Sequence, residues 1–541
     1  MAFNIADLFE HAVDLYPDRI AVACDEDVVT YAQLEERSNR LAHHLAANGI
    51  GVGSHVGLCC RNSIAAIEAM LAVYKLRAVI ININYRYTGT EIRYVLDNAD
   101  VVGLIHDQQY GPAIAEAVAD LAAVQHIVVI ADNSGAQFAG VPFEDALADG
   151  TADRNFGERS NDDLYILYTG GTTGQPKGVM WRHEDIWRAL GGGISFTTGE
   201  PMADEFEQAR SGANGGMVRL CTAPLIHGNA QWGAMQALFA GDTVVLVPKF
   251  DGHAIWKAIE RYKVNVVILI GDAMARPIIQ AFRDGSYDAS SVFAVSSSAA
   301  LFSQPVKDEY LQAMPNVVIT DAVGSSESGF NGISMITKDS EPMTHGPRVT
   351  LNSQSIVIDD QGRPVAPGSG IVGRMARTGY IPFGYYKDPE KTKKLFVEVD
   401  GVRYTVPGDM ALLEADGTMT LLGRGNMCVN TGGEKVFPEE VEGALKSHPD
   451  VMDVLVVGIP DERLGQRVAA IVQPREGRTV SYEELSSHAR SVIAGYKVPK
   501  SIWIVDEVQR TVSGKADYRW ASTYTSEHPE EDLCAPQSAS N

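Results

Sequence analysis

The sequence predicts an α/β protein: a large N-terminal domain of doubly wound sheets, followed by a small α+β domain. Three observations lead there. Up to about Leu422, short apolar runs alternate with stretches of helical period, the mark of strands interleaved with helices and hence of buried, largely parallel sheets. At 541 residues the chain exceeds one ordinary domain and suffices for a large core plus a satellite. Beyond Leu422 a Gly-rich stretch (GRGNMCVNTGGEKVFPEE) gives way to a compact segment with its own strands and helix.

The elements follow in order. Residues 56–60 read as a strand, 65–74 as a helix and 79–83 as a strand. Tyr31, Leu34, Leu41 and Leu45 share one helical face, with Gly49 placed to end that helix. Further strand-like runs lie at 101–105, 127–130, 165–168, 244–247, 266–270 and 317–320. Residues 200–216 break the pattern with acids and small residues and read as a surface excursion, ahead of a lid over a substrate. In the small domain we expect strands at 454–457, 468–472 and 502–505 and a helix at 482–494. The domains are therefore 1–423 and 424–524, with 525–541 (TSEHPEEDLCAPQSASN from Thr525) expected to be a disordered tail because it has little to bury.

Composition narrows the function. With 45% hydrophobic and 21% charged residues the chain is globular. No apolar run approaches the roughly 20 residues of a membrane helix, and the N-terminus lacks a secretory pattern. Six scattered cysteines form no C-x-x-C pair, which argues against a disulfide framework or zinc site and for a reducing cytoplasm. A formal net charge of −24 makes nucleic acid and anionic membrane poor partners. An anionic cofactor then needs locally concentrated positive charge, so individual Lys and Arg residues become informative.

The strongest chemical signal is residues 168–179 (YTGGTTGQPKGV), with four glycines, three threonines and one lysine after an apolar strand. Glycines let backbone N–H groups approach phosphate oxygens, hydroxyls add donors, and Lys177 supplies a point charge. A plain Gly/Thr turn is the alternative. A Walker A loop requires Gly-Lys-Ser/Thr opening a helix; here proline precedes Lys177 and Gly178 follows it. The segment resembles the signature of the adenylate-forming superfamily, which includes acyl-CoA synthetases, peptide-synthetase adenylation domains and beetle luciferases. Gly171 stands where serine is commoner. The resemblance implies that Thr169, Gly170, Gly171, Thr172, Thr173, Gly174 and Lys177 hold ATP phosphates.

Other segments keep the same register. Residues 224–228 (PLIHG) resemble the segment whose His sits beside the carboxylate pocket, which makes His227 a catalytic and substrate residue and sets Trp232 in the acyl pocket. Gly228 falls where amino-acid-activating relatives carry aspartate, so an α-amino-acid substrate is disfavoured, since a buried ammonium would be unpaired. Residues 296–301 (SSSAAL) resemble the segment flanking adenine, implicating Ser298. Residues 319–327 (ITDAVGSSE) resemble the Tyr-Gly-x-Thr-Glu motif: Glu327 with Thr169 would hold Mg²⁺, Ser326 and Asp321 would contact nucleotide, Gly324 would face substrate, and Val323 replaces the usual aromatic. Residues 404–409 (YTVPGD) imply Asp409 on the ribose hydroxyls. Arg424 matches the Gly-Arg preceding the inter-domain hinge, although Met427 occupies the hinge position, usually Asp or Lys.

Residues 431–438 (TGGEKVFP) fit the loop lining the pantetheine tunnel for coenzyme A, with Gly432 and Gly433 allowing close approach. Residues 510–515 (RTVSGK) resemble the C-terminal Ser-Gly-Lys ending, making Lys515 the adenylation lysine. The resemblance spans residues 5 to 520 and implies that the small domain is mobile and that carboxylate plus ATP gives acyl-AMP, then acyl-CoA. Rival readings are an acyl-AMP ligase loading a carrier protein, an aryl-acid CoA ligase, a luciferase-like oxygenase and a non-catalytic homologue. Residues 168–185, 271–277 and 432–440 look like bacterial fatty-acyl-CoA synthetases of the kind that includes actinobacterial steroid side-chain ligases, which points to a long fatty or steroid-derived acid. A homodimer is left open.

Overall fold

In a computed structural model, residues 3–136, 138–169, 175–195, 199–340, 347–431, 434–511 and 514–533 are described. Among these, the strands form four sheets. One is all parallel, in the order Val79–Asn82, His55–Cys59, Val101–Asp107, His126–Ile130, Val141–Pro142. A second begins as the hairpin Ile20–Cys24/Asp27–Thr30 and runs in parallel through Thr243–Leu246, Val218–Cys221, Val266–Leu269, Ala294–Ser298 and Val318–Ser325. It then turns antiparallel through Gly329–Ile336 and Arg348–Leu351 into Met419–Arg424, Asp409–Leu413 and Val372–Arg377.

The strand-like runs predicted in the large domain fall on these strands, except that 165–168 lies on Leu164–Thr169 of a separate three-stranded sheet, and helices Tyr31–Ala47 and Ile64–Lys75 lie where apolar spacing put them. Both helices start at a hydroxyl cap, Thr30 and Ser63, whose side chain accepts a backbone N–H of the first turn. The expected strand at 317–320 instead runs on through Val318–Ser325, because residues 321–325 pair with Gly329–Ile336. Residues 200–216 hold the short helix Glu207–Ser211. Its buried Gln208 accepts from Trp187 Nε1 at 2.6 Å, and Ala209 O accepts from Tyr16 at 2.9 Å, so this stretch is packed onto the domain.

The small domain is a five-stranded sheet in which Val451–Asp461 and Gly465–Pro474 form the central hairpin and Ser501–Ile504 lies parallel to Gly465–Pro474. The side-chain period of two is plain: Val454, Val456, Val468 and Ala470 enter one core, while Leu455, Val457, Ala469 and Ile471 enter another with Trp503. The predicted helix at 482–494 ends earlier, at Val492, where Ile493 turns extended.

The tail expectation is corrected. Helix Tyr518–Glu527 continues past residue 525, a turn at Pro529–Glu531 follows, and Leu533 N–H donates to Ile502 O at 2.9 Å. Trp503 Nε1 donates to His528 O at 2.7 Å, so this stretch covers a buried indole. Residues 534–541 lie outside the described residues.

Candidate active site

A cavity of about 1460 Å³ lies where the two domains meet. The large domain lines it with Thr169, His227, Trp232, Ser298, Asp321, Gly324, Ser326, Glu327 and Asp409; Arg424, at the end of its last strand, and Lys515, from the small domain, complete it.

The phosphate-loop segment is a hairpin. Strands Leu164–Thr169 and Lys177–Arg182 pair antiparallel, with Thr169 opposite Lys177. No helix opens at Lys177, as the rejection of a Walker A loop anticipated. Gly170, Gly171, Thr172, Thr173 and Gly174 lie outside the described residues, as do Gly432 and Gly433 between strands Val429–Thr431 and Glu434–Val436. Buried Asn82 fixes the hairpin: its amide donates to Tyr168 O at 2.8 Å and Ile226 O at 2.7 Å, and its carbonyl accepts from Tyr168 N–H at 2.8 Å.

Glu327 sits in the turn between strands Val318–Ser325 and Gly329–Ile336. That turn is pinned from both sides, because Trp181 Nε1 donates to Ser326 O at 3.0 Å and Thr405 Oγ1 donates to Glu327 O at 2.9 Å. The carboxylate accepts from Tyr385 OH at 3.1 Å, and Lys177 Nζ stands 5.3 Å from the centre of the same ring. Burial, reinforced by Lys391, lowers the Lys177 pKa, while Asp388 and Glu327 oppose this. Gly324 leaves no room for a side chain, since a Cβ there would stand 2.5 Å from Gly329 O.

Asp409 and Arg424 are register partners on neighbouring strands, with Nε 3.2 Å from Oδ1. Burial raises the Asp409 carboxyl despite Arg424, and Asp409 in turn raises the guanidinium. Lys515 reaches solvent in the cleft but is walled by both domains. Desolvation and Arg424 lower its ammonium pKa, whereas Glu327 and Asp409 raise it. Its loop is braced by Arg510, which grips Asp453 with Nε and Nη2 at 2.6 and 2.7 Å. Two acids and three bases thus share one small volume, a cradle for a polyanion.

His227 ends the loop before helix Gly228–Phe239. Its Nε2 is buried without a hydrogen-bond partner, and burial, with help from Lys515, lowers its pKa to about 3. It is therefore neutral at physiological pH and can bind a substrate oxygen but cannot act as a standing proton donor. Trp232 lies buried on the same helix, its Nε1 bonded to Tyr165 OH at 3.1 Å. Asn229 donates to Ser298 Oγ at 2.6 Å and so ties this helix to the segment predicted beside adenine.

Some expected residues serve other neighbours. The Asp321 carboxylate is held by Lys307 at 2.7 Å, both buried. Val323 packs with Val349 and Met375 in an apolar cluster rather than standing free as a stacking face. Met427 packs on the small-domain cluster that holds Trp503 while also lining the cleft.

Residues 9–386 match the family model of the AMP-binding enzyme, and residues 440–515 match that of the AMP-binding enzyme C-terminal domain. The chain belongs to the AMP-binding enzyme family. Among curated relatives of this AMP-binding enzyme is the 3-oxocholest-4-en-26-oate–CoA ligase of Rhodococcus rhodochrous, 53% identical over 98% of each chain. Another is a medium/long-chain-fatty-acid–CoA/3-oxocholest-4-en-26-oate–CoA ligase of Mycobacterium marinum, 51% identical over 99% of each chain. The fold matches the crystal structure of the anthranilate CoA ligase AuaEII in complex with anthranoyl-AMP, with a TM-score of 0.83 at 22% identity, covering 97% of this chain and 98% of that one. The superfamily resemblance and the fold class read from the sequence are both borne out.

Three positioning residues of this AMP-binding enzyme escaped sequence reading. Tyr385 orients Glu327, Trp181 holds Ser326 O, and Asn82 joins the hairpin to the His227 loop. Each acts through folding partners far away in the chain, and none carried a local signal beyond a lone aromatic or amide.

Proposed function

We propose that this acid–thiol ligase activates a large hydrophobic carboxylic acid, a long-chain fatty or steroid side-chain acid, with ATP and passes the acyl group to coenzyme A. The observation that carries this reading is Lys515, delivered by the small domain into the cleft beside Arg424, Glu327, Asp409 and neutral His227. The substrate class rests on the names of the relatives and on a cavity of about 1460 Å³, roomier than a nucleotide needs. Free thiols at Cys24, Cys59, Cys60, Cys221 and Cys428 support a cytoplasmic setting. No helix among the described residues is long and apolar enough to cross a membrane.

In the first half-reaction the carboxylate oxygen attacks the α-phosphorus, the bond to the β-phosphate oxygen breaks and pyrophosphate leaves. Two anions must meet, so the protein's work is positioning and charge neutralisation. Lys515 brings carboxylate and α-phosphate together, Arg424 and Lys177 hold phosphate oxygens, and Asp409 accepts from the ribose hydroxyls. His227 Nε2 and Trp232 line the approach of the acid. In the second half-reaction the coenzyme A thiolate attacks the acyl carbon and AMP departs with its phosphate oxygen.

Among the described residues no cluster of three or more His, Cys, Asp or Glu could cage a metal. Glu327 and the Thr169 hydroxyl, which both line the cavity, would hold Mg²⁺, a hard cation suited to few protein oxygens. When bound there it would neutralise charge on the leaving pyrophosphate. Residues 424–524 are proposed to rotate between half-reactions, withdrawing Lys515 and presenting the Gly432–Gly433 segment.

Lys515→Ala should lower acyl-AMP formation, read by pyrophosphate exchange, by a hundredfold or more while leaving thioester formation from supplied acyl-AMP largely intact. Equal loss of both steps would refute the alternation. Mass spectrometry with ATP, Mg²⁺, coenzyme A and a panel of acids tests acceptor and substrate together: acyl-AMP without acyl-CoA would favour a carrier-protein acceptor, and turnover confined to benzoates an aryl-acid ligase.

A further inference from the structure

Residues 271–277 (GDAMARP) stand out in the sequence, yet the chemistry above gives them no role. They open the helix Gly271–Asp284, which starts hard against the segment predicted beside adenine. Gly271 is left-handed at φ +51°, and its N–H donates to Ser297 Oγ at 3.1 Å. A Cβ there would stand 2.6 Å from Leu301 O, so only glycine fits. Asp272 N–H donates to Leu301 O at 2.9 Å, and its Oδ1 accepts from Ser303 N–H at 2.8 Å. The turn is thus fixed to residues 297–303, of which Ser298 and Leu301 line the cavity.

The other side of the same turn meets the small domain. Lys446, at the end of helix Pro438–Lys446, places Nζ 3.9 Å from Asp272 Oδ2, an oxygen that Arg276 approaches at 3.5 Å. Lys446 also holds Asp453 at 2.9 Å; Asp453 holds Arg510, and Arg510 Nη1 donates to Gly514 O at 3.4 Å, next to Lys515. Gly514, left-handed at φ +75°, rests directly on the helix: a Cβ on it would stand 3.1 Å from that of Ala273. Beside this contact, Glu309 of helix Gln304–Ala313 is held by Arg283 at 3.0 Å and receives Arg475 of the small domain at 3.4 Å. No hydrophobic cluster among the described residues draws on both domains. Small side chains and ion pairs hold this face, the make-up of an interface that can open.

We propose that the turn Gly271–Ala273 is the seat on which the small domain lands for adenylation. Asp272 is a positioning residue that draws in Lys446 and, through it, the Lys515 loop; Ala273 sets how deeply that loop can enter. This rests on the alternation proposed above and adds to it the large-domain face that fixes one end of the swing. Because the turn is bonded to residues 297–303, seat and cleft wall form one piece, and Lys515 is registered against whatever that wall holds.

The test uses the full-length enzyme, the acid it turns over best and the acyl-AMP of that acid, with the two half-reactions read apart: pyrophosphate exchange for adenylation, thioester formation for transfer. Ala273→Leu puts a side chain where Gly514 rests. It should lower the exchange rate by about tenfold to a hundredfold, the scale on which a misplacement of about 1 Å acts. The KM for ATP should move less than about threefold, and transfer from supplied acyl-AMP should keep its wild-type rate. Asp272→Asn keeps an acceptor for Ser303 N–H but loses the charge facing Lys446, and should show the same split, severalfold in size. An unchanged exchange rate in Ala273→Leu overturns the proposal. So does an equal fall in both half-reactions, the mark of a merely structural role, or a raised KM for ATP at unchanged kcat, which would give the turn to the nucleotide. Should Ala273→Leu fail to fold, Asp272→Asn must show the split by itself or the proposal falls. Lys515→Ala separates the seat from the reading beneath it: if that variant loses both half-reactions alike, alternation has failed and the seat with it. If Lys515→Ala shows the split and the two seat variants do not, only the seat is lost.

Discussion

Asp321 and Lys307 illustrate how much a single residue's meaning depends on what faces it. The pair is buried at 2.7 Å, so the carboxylate is already committed. Asp321→Asn should therefore act on folding: a lysine left buried without its charge partner typically costs about 3–5 kcal/mol. Urea unfolding should show that loss, with the KM for ATP moving less than about threefold, a measure of how little the nucleotide depends on it. His227 predicts a pH effect. Its pKa falls from 6.5 to about 3 on folding, so between those values the unfolded chain binds the extra proton and stability drops as pH falls. His227→Gln should shallow the decline of unfolding free energy between pH 6.5 and 4, by at most about 1.4 kcal/mol per pH unit. Register with a known motif singled out His227, Lys515 and Asp321, and all three line the cavity. It could not show that Lys307 holds the Asp321 carboxylate, because Lys307 comes from the preceding helix Gln304–Ala313 and no spacing links the two.

Elements of the large domain were legible to the degree that they are buried on both faces. The central parallel strands are unbroken apolar runs, such as Val266–Leu269, and announce themselves. The short antiparallel strands between Arg348 and Arg424 carry no comparable pattern; Arg348–Leu351 has one buried residue in four. The C-terminal helix was missed for a related reason. Only Tyr518, Ala521 and Thr525 of Tyr518–Glu527 are buried, too few to outweigh a run of acids and hydroxyls. Ending the chain at Tyr524 should bare Trp503, remove the bond from Leu533 and lower the melting temperature by several degrees, read by the near-ultraviolet circular dichroism of that indole. Asp453 is the joint of the small domain, shared by Lys446 at 2.9 Å and Arg510 at 2.6 Å. Asp453→Asn leaves both cations without it and should cost about 3 kcal/mol or more, while also loosening the loop that presents Lys515.

The whole molecule has a large and a smaller domain, and on the proposed rotation of the smaller one the charges between them bear on their separation. Glu439 of the small domain presses against Gly423, where a Cβ would stand 2.0 Å from its Oε2, and that oxygen has no hydrogen-bond partner. Burial first and Glu442 second raise its pKa to about 8; Asp409 pushes the same way. The closed arrangement thus holds a proton that a solvated glutamate gives up near pH 4.5, and its stability falls as pH climbs from there through 8. Fluorescence transfer between dyes on the two domains should show opening from pH 6 to 9 in the wild type and a flat response in Glu439→Gln. In the large domain, Asn82 grips Tyr168 and Ile226 with three hydrogen bonds. The strand leading to the phosphate cradle and the loop leading to His227 are therefore one stiff frame. On the mechanism proposed above, the distance between the two reacting anions is set before either arrives, and only the lysine that bridges them has to travel.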